Sequence, residues 1–106
     1  MPRQSGIGPV PDRYRLLVTT RFVRDVKRLH DAVASDVRAA VRGLVDDPRP
    51  DGMKKLRGSR ALRHIRVGKY RVINAIGDTE LRILALTAGP RKDVYRNLPK
   101  RADWPD

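Results

Sequence analysis

Apolar positions recur along this chain with two different periods, and the switch between them falls near residue 50. In the first half, Phe22, Val26 and Leu29 are spaced by four and three, and Val37, Ala40, Val41, Leu44 and Val45 make a wider stripe. Steps of three and four put side chains on one face of an α-helix. The pattern predicts helices over residues 21–31 and 35–46, with a junction around residues 30–34 short enough for an antiparallel hairpin. Thr19 or Thr20 offers a side-chain oxygen to cap the first helix, and Pro48 and Pro50 end the second. Ahead of the hairpin, YRLLVT at residues 14–19 is short and β-prone, a first strand.

Beyond Pro50 the period drops to two. In residues 62–67, Arg63, Ile65 and Val67 share one face and Leu62, His64 and Arg66 the other. Gly68-Lys69 makes a two-residue turn into a strand over residues 70–76, and Gly77-Asp78, with Thr79, makes a second turn. Residues 81–88 are almost continuously apolar, which fits a central strand covered on both faces. Gly89-Pro90 breaks it, and residues 91–98 follow as one or two helical turns. The order β-α-α-β-β-β predicts an α+β domain: an N-terminal strand, an antiparallel helical hairpin, then a twisted, mostly antiparallel sheet with a short C-terminal helix. The helical stripes and one sheet face supply the core, leaving the opposite sheet face free to act. Residues 1–13, with Pro2, Gly6, Gly8, Pro9 and Pro11, read as a flexible leader, residues 14–98 as the domain and residues 99–106 as a tail.

Composition narrows the chemistry. A chain of 106 residues supports one domain with one modest core. It has no cysteine, which excludes disulfides and thiolate zinc sites and leaves only His30 and His64 as imidazole ligands. The expectation is therefore no cofactor and no metal. No stretch approaches the roughly 18 apolar residues that span a bilayer, and the first residues lack the apolar core of a secretory signal. A cytoplasmic protein with no membrane partner is expected. The 24 Lys and Arg outnumber the 12 Asp and Glu, for a net charge of +12, and such an excess calls for a polyanionic partner.

That charge is unevenly placed. Across residues 21–47, six basic side chains face five acidic ones, as on a solvated outer surface. Residues 53–71 instead carry eight basic residues (Lys54, Lys55, Arg57, Arg60, Arg63, Arg66, Lys69 and Arg71) and no acid. Arg91, Lys92 and Arg96 form a second cluster beyond the last strand. If the strands pair as hairpins, the two clusters line one concave surface. The planar fork of arginine donates two parallel hydrogen bonds to a phosphate, so the expected role of that surface is to track a phosphate backbone.

The stretch KKLRGSRALRHIRVGKYRVI at residues 54–73, followed by LTAGPRKDVYRNL at residues 86–98, resembles the RelE/ParE superfamily of bacterial toxin–antitoxin systems. That family has a K-L-x-G turn, an R-I-R-x-G-x-Y-R-V-type hairpin and an apolar strand. A Gly, an Arg and an Arg/Lys-x-x-x-Tyr ending follow. The helical hairpin with its proline exit matches as well, so the resemblance covers about residues 14–98. It implies a RelE-like fold and a ribosome-dependent endoribonuclease that cuts mRNA, inhibits translation and is restrained by a cognate antitoxin. The implied cleavage is metal-independent: the 2′-OH attacks the adjacent phosphorus, giving a cyclic phosphate and a free 5′-OH.

Carried onto this chain, the resemblance sets Arg66 and Arg71 around the scissile phosphate and Arg91 on phosphate or the leaving group. Tyr95 stands where the family has its C-terminal Tyr, and His64 where it has a variable, often basic, residue. Lys54, Lys55, Arg57, Arg60, Arg63, Lys69 and Lys92 are the expected RNA-binding cations. An arginine is a poor proton acceptor at neutral pH. Surrounding cations favour a phenolate, and histidine titrates close to neutrality, so either His64 or Tyr95 can serve as the base. Asn74 is a departure, since many relatives have Tyr there, and a base would stack differently on it. The competing reading is a ParE-like DNA gyrase inhibitor without nuclease activity. Relatives of that kind generally lack the basic catalytic set, so the presence of Arg66, Arg71, Arg91 and Tyr95 together favours the nuclease.

Overall fold

In chain order the elements are β1 (Arg15–Val18), α1 (Thr20–Lys27), α2 (Asp31–Gly43), β2 (Lys54–Lys55), β3 (Leu62–Val67), β4 (Tyr70–Gly77), β5 (Arg82–Pro90) and α3 (Arg91–Val94). They are seen in a computed structural model that describes residues 13–59 and 61–99 together with Ala102 and Trp104. Thr19 is the cap of α1: its hydroxyl accepts from the Phe22 amide at 3.0 Å and donates to the Leu86 carbonyl at 2.6 Å. The cap therefore also fastens α1 to β5. The helix closes earlier than its apolar spacing predicts, because the Arg28 and Leu29 amides turn back onto the Asp25 and Val26 carbonyls. His30 is then extended (φ −58, ψ 148) and its carbonyl takes the Ala34 amide, so α2 starts at Asp31 rather than residue 35. Asp31 in that first turn complements the positive end of the helix.

The sheet order is β1-β5-β4-β3-β2. β1 runs parallel to β5 and every other pairing is antiparallel, so the α+β architecture read from the pattern holds. β4 occupies the middle, and β5 lies between it and β1. All residues from Ile83 to Gly89 are buried, as the apolar run requires. Gly68 has φ +61, the backbone a two-residue hairpin needs at its first turn position, where a side chain would be strained. The register between β4 and β5 slips at Ile73/Asn74, a bulge that strengthens local twist. The pattern missed β2, whose two exposed lysines have no alternation to find.

Two apolar layers sandwich the sheet. On one face α1 and α2 press Phe22, Val26, Val37, Val41 and Leu44 onto Ile65, Val72, Ile83 and Ala85. On the other, Leu62, Ile73, Ala75, Leu84 and Leu86 cluster with Val94 of α3. Each fully buried aliphatic contributes about 1.5–3 kcal/mol of transfer free energy. The second layer corrects an expectation: this sheet face is not wholly free, because Val94, Leu98, Ala102 and Trp104 cover its middle. Trp104 lies over the Arg82 guanidinium at 4.3 Å, so part of the expected tail packs on the fold. At the other terminus, residues 1–12 of the expected leader lie outside the described residues, while Arg13 is paired to Asp46 at 2.8 Å. Among the described residues no helix is long and apolar enough to cross a membrane.

Candidate active site

What the second apolar layer leaves uncovered is the end of the sheet where the basic hairpin meets α3. Strand register builds it. His64 of β3 sits between Lys54 of β2 and Ile73 of β4, and Arg66 of β3 sits directly opposite Arg71 of β4, which in turn faces Gly89 of β5. The Gly89-Pro90 step ends β5 and starts α3, whose buried Val94 anchors it to the second apolar layer. Tyr95, the last residue of that turn, is thereby swung over the sheet.

The result is a hydrogen-bonded cluster of three residues. Arg71 Nη1 donates to Tyr95 Oη at 2.9 Å, and Tyr95 Oη lies 3.2 Å from His64 Nδ1. Arg71 Nη1 is also 3.4 Å from that same Nδ1. The imidazole and phenol rings meet edge-on, with centroids 6.1 Å apart. A guanidinium can only donate, so Tyr95 accepts from Arg71 and aims its own proton at His64. By this donor inventory Nδ1 is the acceptor and the neutral ring carries its proton on Nε2. Burial, then the charges of Arg71 and Lys54, push His64 below the ordinary histidine value of 6.5. At neutral pH it is therefore an uncharged base.

His64 and Tyr95 open onto a cleft of about 680 Å³ whose other walls include Lys55, Arg57, Arg91 and Leu98. The Gly58-Ser59 turn shapes one wall: Gly58 has φ +82, and Ser59 Oγ accepts from the Ala61 and Leu62 amides at 3.3 and 3.1 Å. Sequence reading passed over Ser59, although a Gly-Ser pair between two strands is a turn signal. Among the described residues the side chains of Lys54, Lys55, Arg57, Arg66, Lys69, Arg91 and Lys92 have neither a hydrogen bond nor an ion pair. Such cations hold their charge ready for an external anion.

The structure thus brings His64, Arg71, Tyr95 and Arg91 together, with Lys54, Lys55 and Arg57 around them. Other predicted residues fall elsewhere. Arg66 is registered beside Arg71 but borders a neighbouring groove toward Gly43, Asp47 and Gly52. Arg63 is on the helix-covered face with Ile65, where its charge acts on Asp78. Lys69 is at the exposed tip of the β3–β4 turn, Lys92 is on the outside of α3, and Arg60 lies outside the described residues. Asn74 is fully buried in the sheet interior, where no base could stack.

A twisted, mostly antiparallel sheet backed by a helical hairpin recurs in solved structures of small toxins. The RelE of the archaeal RelE–RelB complex from Pyrococcus horikoshii matches with 26% identity over 76% of this chain and 97% of its own, at TM-score 0.66. The RelBE2 toxin–antitoxin complex of Mycobacterium tuberculosis gives 26% identity, 76% and 94% coverage and TM-score 0.66. The isolated E. coli RelE toxin shares the fold at 22% identity, 77% and 90% coverage and TM-score 0.63. By sequence alone the chain matches no protein-family model and no curated protein. The chain belongs to the RelE-like toxin superfamily.

Proposed function

We propose that this protein is the toxin of a toxin–antitoxin pair, a metal-independent endoribonuclease that cuts mRNA on the ribosome and so stops translation. The observation that carries this reading is the Arg71–Tyr95–His64 cluster opening onto a cationic cleft. An RNA strand in the cleft sets its scissile phosphate against Arg71 and Arg91, with Arg66 one strand further out. Proton movement follows the hydrogen bonds. The 2′-OH gives its proton to Tyr95 Oη as the tyrosine proton passes to His64 Nδ1, so His64 and Tyr95 act in series as one base. The 2′-oxygen bonds to phosphorus, and the arginines neutralise the charge that builds on the phosphorane. The P–O5′ bond then breaks. The departing 5′-alkoxide is a stronger base than a neutral guanidine, so Arg91 can give it a proton late in the step. The products are a 2′,3′-cyclic phosphate and a 5′-OH.

The antitoxin reading draws support from the RelE–RelB and RelBE2 structures, which are complexes of toxin and antitoxin. An acidic antitoxin segment that orders on binding suits a cleft of unpaired cations. The test is cell-free translation of a defined mRNA with the purified chain, followed by primer extension. Codon-phased cuts leaving cyclic phosphate ends, undiminished by a chelator, are expected. Intact mRNA, with DNA breaks that require gyrase, would overturn the assignment.

A further inference from the structure

A second basic groove lies behind the first. Arg21 and Arg24 of α1 and Arg28 at its C-terminal cap are spaced by three and four and share one face. They border a groove of about 880 Å³, closed on its other side by Tyr70, Pro90 and Arg96. Its acids are already engaged. Asp25 accepts from the Thr87 hydroxyl and from the Ala88 amide at 3.2 Å, and Asp93 lies 4.0 Å from Arg96. Arg24 and Arg28 are exposed and have no side-chain partner among the described residues. Arg21 stands in the first turn of α1, where the helix dipole disfavours a cation. It is held there by Asp25, 3.9 Å away one turn on, and by the carbonyl of Asn97 at 3.3 Å, and Asn97 itself has the left-handed φ of +54.

Only α3 separates the two sites. Arg91 and Tyr95 line the His64 cleft, whereas Asp93, Arg96 and Asn97 line the groove. A chain that leaves the cleft across Pro90 enters the groove next. We infer that the Arg21–Arg24–Arg28 groove is a second RNA-binding site, which holds the strand continuing out of the His64 cleft. Arg24 and Arg28 take its phosphates, and the Tyr70 and His30 rings offer planar surfaces to its bases. Those rings favour a nucleic acid over an acidic peptide, since bases stack on aromatic faces. The inference rests on the reading of the His64 cleft as the place where RNA is cut.

The test is binding of single-stranded RNA of two lengths, measured by fluorescence anisotropy over a range of salt. One RNA is about 12 nucleotides long, enough to span both sites, and the other about three. The double variant Arg24→Ala, Arg28→Ala keeps helix propensity on an exposed face, and an unchanged thermal midpoint verifies its fold. It is expected to bind the long RNA about tenfold more weakly. Its plot of log K against log salt should be shallower by about 1.4, the counterions of two single-strand phosphates. Binding of the short RNA should not change, while Arg91→Ala should weaken both lengths. If the double variant binds the long RNA like the parent while Arg91→Ala still weakens it, the groove is not an RNA site and the cleft assignment stands. If the double variant loses affinity for poly-glutamate while its binding of the long RNA is unchanged, the groove serves an acidic protein instead. If Arg91→Ala changes neither length, the reading of the cleft falls as well.

Discussion

Replacing Tyr95 by Phe removes one oxygen and keeps the ring. That oxygen lies 2.9 Å from Arg71 Nη1 and 3.2 Å from His64 Nδ1, so both contacts go while the edge-on ring packing stays. Tyr95 is 37% exposed, so water can take the vacated place beside Arg71. The fold should lose about 0.5 kcal/mol or less. The chemistry should lose far more. A positioned base contributes roughly 100- to 10,000-fold, or about 3–5 kcal/mol of barrier. Because the phenol and imidazole are joined in one hydrogen bond, they form one proton path and their losses should not add. The double variant Tyr95→Phe, His64→Ala should be within about threefold of the slower single variant. Single-turnover cleavage on mRNA-programmed ribosomes, with toxin saturating, separates this step from binding. A Tyr95→Phe protein within about threefold of the parent rate would refute the series path, as would a double loss equal to the product of the two single ones.

Three further outcomes follow from the geometry. Burial, Arg71 and Lys54 hold His64 below 6.5, so activity should persist as pH falls through 6.5 and be lost only below it; Arg71→Gln should move that acid limb to higher pH, and a limb that stays put would exclude the charge effect. Since the unfolded chain binds this proton first, His64 also subtracts stability as pH drops below 6.5. Asp78, whose carboxyl is held down to about 2 by Arg49 and then Tyr14, is a surface group, so Asp78→Asn should cost only about 0.5–1 kcal/mol. That difference is present above 3.8 and should vanish as pH falls toward 2, which urea denaturation at several pH values would show. Leu84 is fully buried beneath α3, so Leu84→Ala should cost about 3 kcal/mol in the same assay, and a loss under about 1 kcal/mol would mean that this layer is loosely packed.

Much of the fold was legible because each half keeps one period. The alternation over β3 set Ile65 on one face and His64 and Leu62 on the other, and the two apolar clusters divide Ile65 from Leu62 in the same way. Thr19 was readable as a cap because its oxygen acts within three residues. Misplaced boundaries came where non-local contacts compete with periodicity. Leu29 continues the spacing of Phe22 and Val26, but the chain must turn at Arg28 to bring α2 back over the sheet. Alternation separates Arg63 from His64, but it puts Arg66 on the His64 face and register sets it opposite Arg71. Only the tertiary structure shows Arg66 bordering the groove toward Gly43 instead of the His64 cleft. The tie between His64 and Tyr95 spans 31 residues and depends on how α3 leaves β5, which no local pattern encodes. Neither Trp104 over Arg82 nor the Asn97 carbonyl on Arg21 could be read from composition.

The register of the sheet has its own bearing on function. Arg66 and Arg71 face each other across an antiparallel pair, and like charges directly opposite destabilise a sheet by roughly 0.2–1 kcal/mol. Lys54 and Arg71 likewise press on His64. In the helical half acids stand close in number to bases, so the chain does have carboxylates to spend, yet residues 53–71 contain none. Stability alone would favour an acid at one of these positions. A fold that keeps cations opposed at the end of its sheet gains from a bound phosphate what it gives up without one, because the anion turns each repulsion into an attraction. The same excess suits an acidic segment as well as a phosphate backbone. Under the proposed function, one electrostatic imbalance would therefore serve both the RNA and the antitoxin that competes for the same cations.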